Sequence, residues 1–410
     1  MRAIRSFILS LIVLVPNLSR AQLGFALTNN QHKVEFPVEI INNMVVLPVI
    51  LNGQLPLRFI LDTGVRTTIL TEKSFSDILR LTYSRHYLVA GPGGEKLVEA
   101  YVTNNVTLDI PGIHGEGHAM LVLEKDYLEL RNYLGTDVQG VLGYELFSRF
   151  VVSIDYERRK LVVMSPDYYK PKRGFQALDI LIQDTKPYLY TPVVFKDGTT
   201  INAKLMIDSG ASHGLVLDPL SDPTIKIPEK HVTSLIGRGL GGAITGQIGR
   251  IQALRLGNYQ IDNVIANFPD ANSYIDTLKS SDVFRNGAIG GELLSRFTVV
   301  FNFPKEKIYL KKNSSLKKPF NFNMSGITLK ALGARLRKYE VSDVRKGSAA
   351  DKAGVQMGDE LITVNGMPCD ELELYIINGY FNARAGKKIR LEFLRNGQKV
   401  TKVFALENQI

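Results

Sequence analysis

Phe59-Ile60-Leu61-Asp62-Thr63-Gly64 and Leu205-Met206-Ile207-Asp208-Ser209-Gly210 share one pattern: an apolar run ends in Asp, a hydroxyl residue and Gly. Such runs read as strands buried on both faces, with the Gly permitting a sharp turn at their end. A carboxylate delivered there is costly to desolvate unless it finds a partner. Two of them on matched halves of one chain predict a single site where they meet.

The matching extends well past the triplets. Gly140-Val-Leu-Gly143-Tyr-Glu145-Leu-Phe-Ser148-Arg149-Phe150-Val-Val152 aligns with Gly287-Ala-Ile-Gly290-Gly-Glu292-Leu-Leu-Ser295-Arg296-Phe297-Thr-Val299, with 8 of 13 positions identical at an offset of 147. The aspartates lie 146 residues apart, so the halves are nearly equal in length. Beyond each block, Ile154-Asp155-Tyr156 with Lys160–Val163, and Phe301-Asn302-Phe303 with Lys307–Leu310, predict hairpins. This period is too long for a solenoid unit and suits two domain-sized lobes.

An Asp-Thr/Ser-Gly turn followed about 80 residues later by a hydrophobic-hydrophobic-Gly segment resembles the pepsin and retropepsin superfamily of aspartic peptidases. Val141-Leu142-Gly143 and Ala288-Ile289-Gly290 match the segments that cradle each catalytic turn in that family. The resemblance covers roughly residues 34 to 312. It implies a mainly β fold of two duplicated β-barrel lobes, 34–165 and 176–312. It implies Asp62 and Asp208 as catalytic residues acting on water, Thr63, Gly64, Ser209 and Gly210 as support, and hydroxyl hydrogen bonds to the opposite turn. It also implies a polypeptide substrate, no cofactor and no metal. A duplicated chain has no need to dimerise for a complete site, so a monomer is expected. The family holds substrate under glycine-bearing hairpins, here Val89 to Gly94 (Gly91, Pro92, Gly93, Gly94) and Gly237 to Gly242 (Gly239, Gly241). Many pepsin-like enzymes carry Ser or Thr after the Gly, whereas this chain has Val65 and Ala211. Without that donor to the carboxylates, activity is expected nearer neutral pH. The alternative is a non-catalytic envelope protein using the same lobes as a peptide cleft.

A third unit, 326–408, follows the linker 311–319. Val341–Val344, then Gly347-Ser348-Ala349-Ala350, Ala353-Gly354-Val355 and Gly358–Gly366 resemble a PDZ domain of the bacterial protease-associated kind. Residues 370 to 383 are expected to form its groove helix, and 389–394 with 400–404 a closing hairpin around Asn396-Gly397. The carboxylate-binding loop that the resemblance implies falls on Leu332, Gly333, Ala334 and Leu336, departing from the usual Gly-Leu-Gly-Phe form. The groove ligand stays open among a C-terminal peptide, an internal segment and the protein's own chain.

Composition is ordinary for a globular protein, with 45% hydrophobic and 22% charged residues. The net charge of +10 is spread along the chain, with clusters at Lys170–Arg173 and around Lys311–Lys318. These read as solvated linkers, and no aromatic-interleaved basic motif argues for nucleic acid. Arg2 and Arg5, the apolar stretch Phe7–Val15 and Ser19-Arg20-Ala21 predict a cleaved secretory leader over 1–21, too short to span a bilayer. Cys369 is the only cysteine, so no intrachain disulfide forms; with export this fits a bacterial periplasm or secretion. His114-Gly-Glu116-Gly-His118 is not read as a metal site, because its glycines make a helix unlikely and its duplicate (259–263) has no histidine. His213 is expected to take a surface or packing role beside the cleft. Glu145 and Glu292 are expected to serve structure, as an ion pair or a helix start with Arg149 and Arg296.

Overall fold

In a computed structural model of the chain, residues 23–91, 93–94, 96–271, 283–320 and 322–410 are described. The expected leader, 1–21, lies outside the described residues. The architecture is mainly β, with a few short helices. Each lobe is organised around its Asp-bearing strand. Leu55–Leu61 runs antiparallel to Met44–Leu51 and parallel to Gly140–Leu142. Thr200–Ile207 repeats this against Lys186–Val194 and Gly287–Ile289. The registers correspond as well, with Leu61 opposite Leu142 and Ile207 opposite Ile289. Phe59, Ile60, Leu61, Leu205, Met206 and Ile207 are all buried, as two-sided burial of a central strand requires.

The repeated Gly-X-X-Gly blocks now have a physical reason. Gly143 and Gly290 lie directly beneath the two Asp turns. A Cβ on Gly143 would sit 2.5 Å from the Asp62 carbonyl oxygen, and one on Gly290 would collide with the His213 carbonyl.

The two predicted hairpins form, and they also join. Val151–Asp155 pairs antiparallel with Phe297–Asn302, in a six-stranded sheet fed equally by both halves. Beneath it Phe147 meets Phe301 edge-on at 5.3 Å and stacks on Phe303 at 5.2 Å, so one apolar core runs through both lobes. Asp155 and Asn302 do the same job here. Each side chain accepts the backbone N–H three residues on, from Arg158 and Lys305, and closes its hairpin turn.

The C-terminal unit has its own core, built on Leu329, Val341, Leu361, Ile377, Phe381 and Phe393. Its sheet runs in the order Ile327–Leu332, Lys338–Val344, Glu360–Val364, Lys388–Arg395, Gln398–Ala405. The helix Leu374–Phe381 packs on it. Asn365-Gly366 and Asn396-Gly397 take the left-handed conformations a two-residue hairpin turn needs. Asp359 is 1% exposed and is gripped by Arg395 through two hydrogen bonds, 2.6 and 2.7 Å. Burial pushes its carboxyl up, but the bonds from Arg395 and the Gln356 N–H outweigh this and hold it below the ordinary range. Arg395→Ala strands that buried charge and is expected to destabilise this unit by about 3–5 kcal/mol. Denaturant unfolding followed by hydrogen exchange at 339–341 checks this. The loss should shrink as the pH falls through the Asp359 pKa, because protonation removes the stranded charge.

Candidate functional site

The two Asp turns face each other across the boundary between the lobes. Each is tied into its own lobe identically: the N–H of Asp62 donates to Leu142 and that of Asp208 to Ile289, both at 2.8 Å. Each carboxylate then accepts a turn amide, Gly64 N–H on Asp62 at 2.6 Å and Gly210 N–H on Asp208 at 3.0 Å. The two carboxyls converge on one point: a Cβ on Gly64 would lie 3.1 Å from an Asp62 carboxyl oxygen and 3.5 Å from an Asp208 one. Gly64 and Gly210 make this approach possible, since a Cβ on Gly64 would lie 3.5 Å from the Asp208 carboxyl and one on Gly210 would overlap Asp62.

A lattice of four hydrogen bonds locks the turns together. The Thr63 hydroxyl donates to the Ile207 carbonyl (2.6 Å) and accepts the Ser209 N–H (3.0 Å). Reciprocally, the Ser209 hydroxyl donates to the Leu61 carbonyl (2.8 Å) and accepts the Thr63 N–H (3.1 Å). Both side chains are fully buried.

A second, outer pair of braces was not foreseen. Asn43, at the tip of one lobe's hairpin, donates to the Ser212 carbonyl in the other lobe at 3.3 Å. Asp184, at the corresponding tip, pairs with Arg66 at 3.4 Å. Ser212 and Arg66 each lie four residues past a site aspartate, so each lobe's hairpin clasps the other's turn. Asn42, Asn43, Asp184 and Thr185 all have positive φ. The sequence signal was therefore an ordinary turn signal, silent about what the tip touches.

The carboxyl of Asp62 lies well above its ordinary range. Desolvation is the main cause and the neighbouring Asp208 charge the second; the Gly64 N–H and the Lys186 ammonium oppose them. A carboxylic acid held neutral beside a second carboxyl can donate a proton, and the pair holds one proton between them more readily than none. Among the described residues no group of three or more His, Cys, Asp or Glu is placed to hold a metal ion.

The two glycine hairpins meet tip to tip. A Cβ on Gly241 would lie 2.6 Å from the carbonyl oxygens of both Gly91 and Gly94, and Gly93 abuts Gly242. Gly239 pairs with Gly242 at the end of its strand. Pro92 lies outside the described residues. Leu240, between Gly239 and Gly241, packs into the first lobe against Val98, Ala100 and Leu123. The chain therefore closes over its own midline, each lobe supplying one hairpin.

Other expectations divide. Glu292 pairs with Arg296 at 3.9 Å. Glu145 instead binds His118 at 2.8 Å and Thr68 at 3.2 Å, while Arg149 turns to the carbonyls of Leu23 and Phe25. The strand Gly24–Leu27 and the residue before it supply those carbonyls beside Arg149, and the second lobe pairs Arg296 differently, with the linker carbonyls of Ser315, Leu316 and Lys318. His114 binds Asp109 rather than joining His118. His213 packs under Gly290, where burial lowers its pKa, and it borders a cavity of about 200 Å³ shared with Asn323 and Arg345 of the C-terminal unit.

The carboxylate-loop reading of Leu332, Gly333, Ala334 and Leu336 is corrected. These residues end the strand Ile327–Leu332 and form its turn into Lys338–Val344, an inner strand that can accept no further partner. Leu336 is buried in the domain core. The open edge belongs to Ile327–Leu332.

Comparison with family models agrees with this geometry. The aspartyl protease model matches residues 47–146 and again 191–291, and the PDZ domain model matches residues 340–395. No curated protein matches the chain. Each lobe is a repeat of the aspartyl protease family, retropepsin-like in kind, and the chain ends in a PDZ domain.

Proposed function

We propose that this chain is an aspartic endopeptidase that uses Asp62 and Asp208 as one acid–base pair. The observation carrying the proposal is the convergence of these two carboxyls, one from each lobe, on the same point beside Gly64 and Gly210. The ionised member removes a proton from water as it attacks the scissile carbonyl, and the protonated member donates to the carbonyl oxygen. The dyad then takes a proton back from the gem-diol and gives one to the leaving nitrogen as the C–N bond breaks, so protons balance and no covalent intermediate with the enzyme is needed. The paired hairpins close over an extended substrate and exclude bulk water from the reacting carbonyl. On this reading the 1–21 segment directs export before the lobes fold. Peptide-library cleavage by the wild type, Asp62→Asn and Asp208→Asn tests the assignment. Cleavage surviving either substitution removes it, and inertness of all three proteins from about pH 3 to 8 turns the lobes into a binding cleft.

Two further outcomes are expected. With Asp62 raised and no hydroxyl at Val65 or Ala211, the kcat/KM profile should peak above about pH 3.5, set by the two macroscopic pKa values of the pair. A peak in strongly acid solution contradicts this. Gly241→Ala places a methyl against two backbone carbonyls of the opposite hairpin and separates the tips. KM for peptides should rise about tenfold, equivalent to ~1.4 kcal/mol of lost binding; an unchanged KM would show that the hairpins do not hold substrate.

A further inference from the structure

The PDZ sheet ends at Ile327–Leu332, and an edge strand presents outward backbone groups that an added strand can pair with. That edge is not free. Asn132, on the short helix Leu130–Leu134 of the first lobe, donates its side-chain amide to the Ala331 carbonyl at 2.7 Å. Beside it, Arg131 donates to the Ala334 carbonyl at 3.4 Å. Gly135 lies against the first residue of the groove helix, close enough that a Cβ would be 2.6 Å from that of Leu374. Segment 129–135 thus touches both walls at one end of the groove, the C-terminal end of the strand and the first residue of the helix. Asn132 stands where the main-chain N–H of an added strand would stand.

The N-terminal entrance of the groove is also closed to a terminal carboxylate. Four successive amides there already have acceptors. Met324 N–H donates to Phe381, Ser325 and Gly326 N–H to the Asn323 side chain, and Ile327 N–H to the Ser325 hydroxyl. Among these four described amides no nest of unpaired N–H groups remains for a free C-terminus, whereas the edge of the strand needs only a competitor for Asn132.

We propose that the open edge of Ile327–Leu332 docks an internal, extended polypeptide segment, and that segment 129–135 of the first lobe is the built-in cap it displaces. The proposal narrows the groove ligand that the sequence left open among three possibilities, and it does not depend on turnover by the lobes. The same segment faces the second-lobe hairpin, where Glu129 pairs with Arg238 at 3.5 Å and Arg238 lies over the Tyr133 ring at 5.7 Å. A displaced cap would therefore leave contacts with that hairpin too.

The test uses the full chain carrying Asp62→Asn, so that bound probe is not cut and a failed cleavage assignment cannot affect the reading. Fluorescein-labelled random decapeptides are titrated in two pools, one C-terminally amidated and one with free carboxylates. Asn132→Ala, and separately Asn132→Asp, which keeps the side chain's size but removes its donor, should each tighten binding of both pools about three- to tenfold, the worth of one competing hydrogen bond. An unchanged melting temperature confirms that each variant is folded. Equal affinity with and without Asn132, absence of binding by any variant, or retention confined to the free-carboxylate pool would overturn the proposal.

Discussion

Asp62→Asn should lower kcat/KM for peptide cleavage by about 10³-fold or more while raising the melting temperature at pH 7. The first effect follows from removing one member of a pair whose work is proton exchange. The second follows from what folding does to that carboxyl. Its pKa is raised in the folded protein, first by desolvation and then by Asp208. Below the unfolded value both states hold the proton and the group costs nothing. As the pH rises past that value the unfolded chain releases its proton while the folded chain retains it, so stability falls. The penalty is complete only above the folded pKa. Asn keeps the interactions of the protonated acid, with an oxygen for the Gly64 N–H and an N–H₂ for the Asp208 carboxylate, and never has to ionise. Calorimetry at a series of pH values should therefore show the variant and wild type unfolding together near pH 3 and separating toward neutrality, by about 2–4 °C for each kcal/mol relieved. A variant less stable than wild type at pH 7 would mean that the site is not strained by charge.

How far the sequence revealed this site depends on how local each feature is. The Asp turns were legible because a buried apolar run, a hydroxyl and a Gly must be contiguous, and because the chain states the pattern twice. The PDZ turns at Asn365-Gly366 and Asn396-Gly397 were legible for the same reason, since left-handed backbone selects those residues locally. The junction of Val151–Asp155 with Phe297–Asn302 was not, because either hairpin alone satisfies its own alternation pattern and says nothing about its outer neighbour. The clasp of Asn43 on Ser212 and of Asp184 on Arg66 was hidden likewise. Glu145 lies in the first turn of the helix Tyr144–Phe147, within the ion-pair-or-helix-start reading, but its pairing with His118 was hidden because His118 approaches from a strand 27 residues away. The peptide edge was missed because Gly333 marks a turn without indicating which flanking strand ends the sheet.

Thr63→Val should destabilise the lobes by about 2–5 kcal/mol, although it replaces one β-branched side chain by another of the same shape. The hydroxyl it removes is fully buried and makes two bonds to the opposite lobe, so the Ser209 N–H loses its acceptor and the Ile207 carbonyl its donor with no water to replace them. Thr63→Ser keeps the oxygen and should cost only the lost methyl, about 1 kcal/mol. Activity should follow geometry: the valine variant lets the two carboxyls separate, and a shift on the order of 1 Å is enough for a roughly 10²-fold loss of rate. Ser209→Ala breaks the reciprocal pair of bonds, to Leu61 and from Thr63. Each pair holds the same two turns in contact, so once one is gone the turns relax and the other contributes less. The double variant should then be more stable than the sum of the single losses predicts, by about 0.5–3 kcal/mol. Losses that add within ~0.3 kcal/mol would mean that the two hydroxyls act independently and that the lattice is not one cooperative clamp. Non-additivity would identify the bonds between the turns, rather than the packing of either lobe alone, as what keeps Asp62 within reach of Asp208.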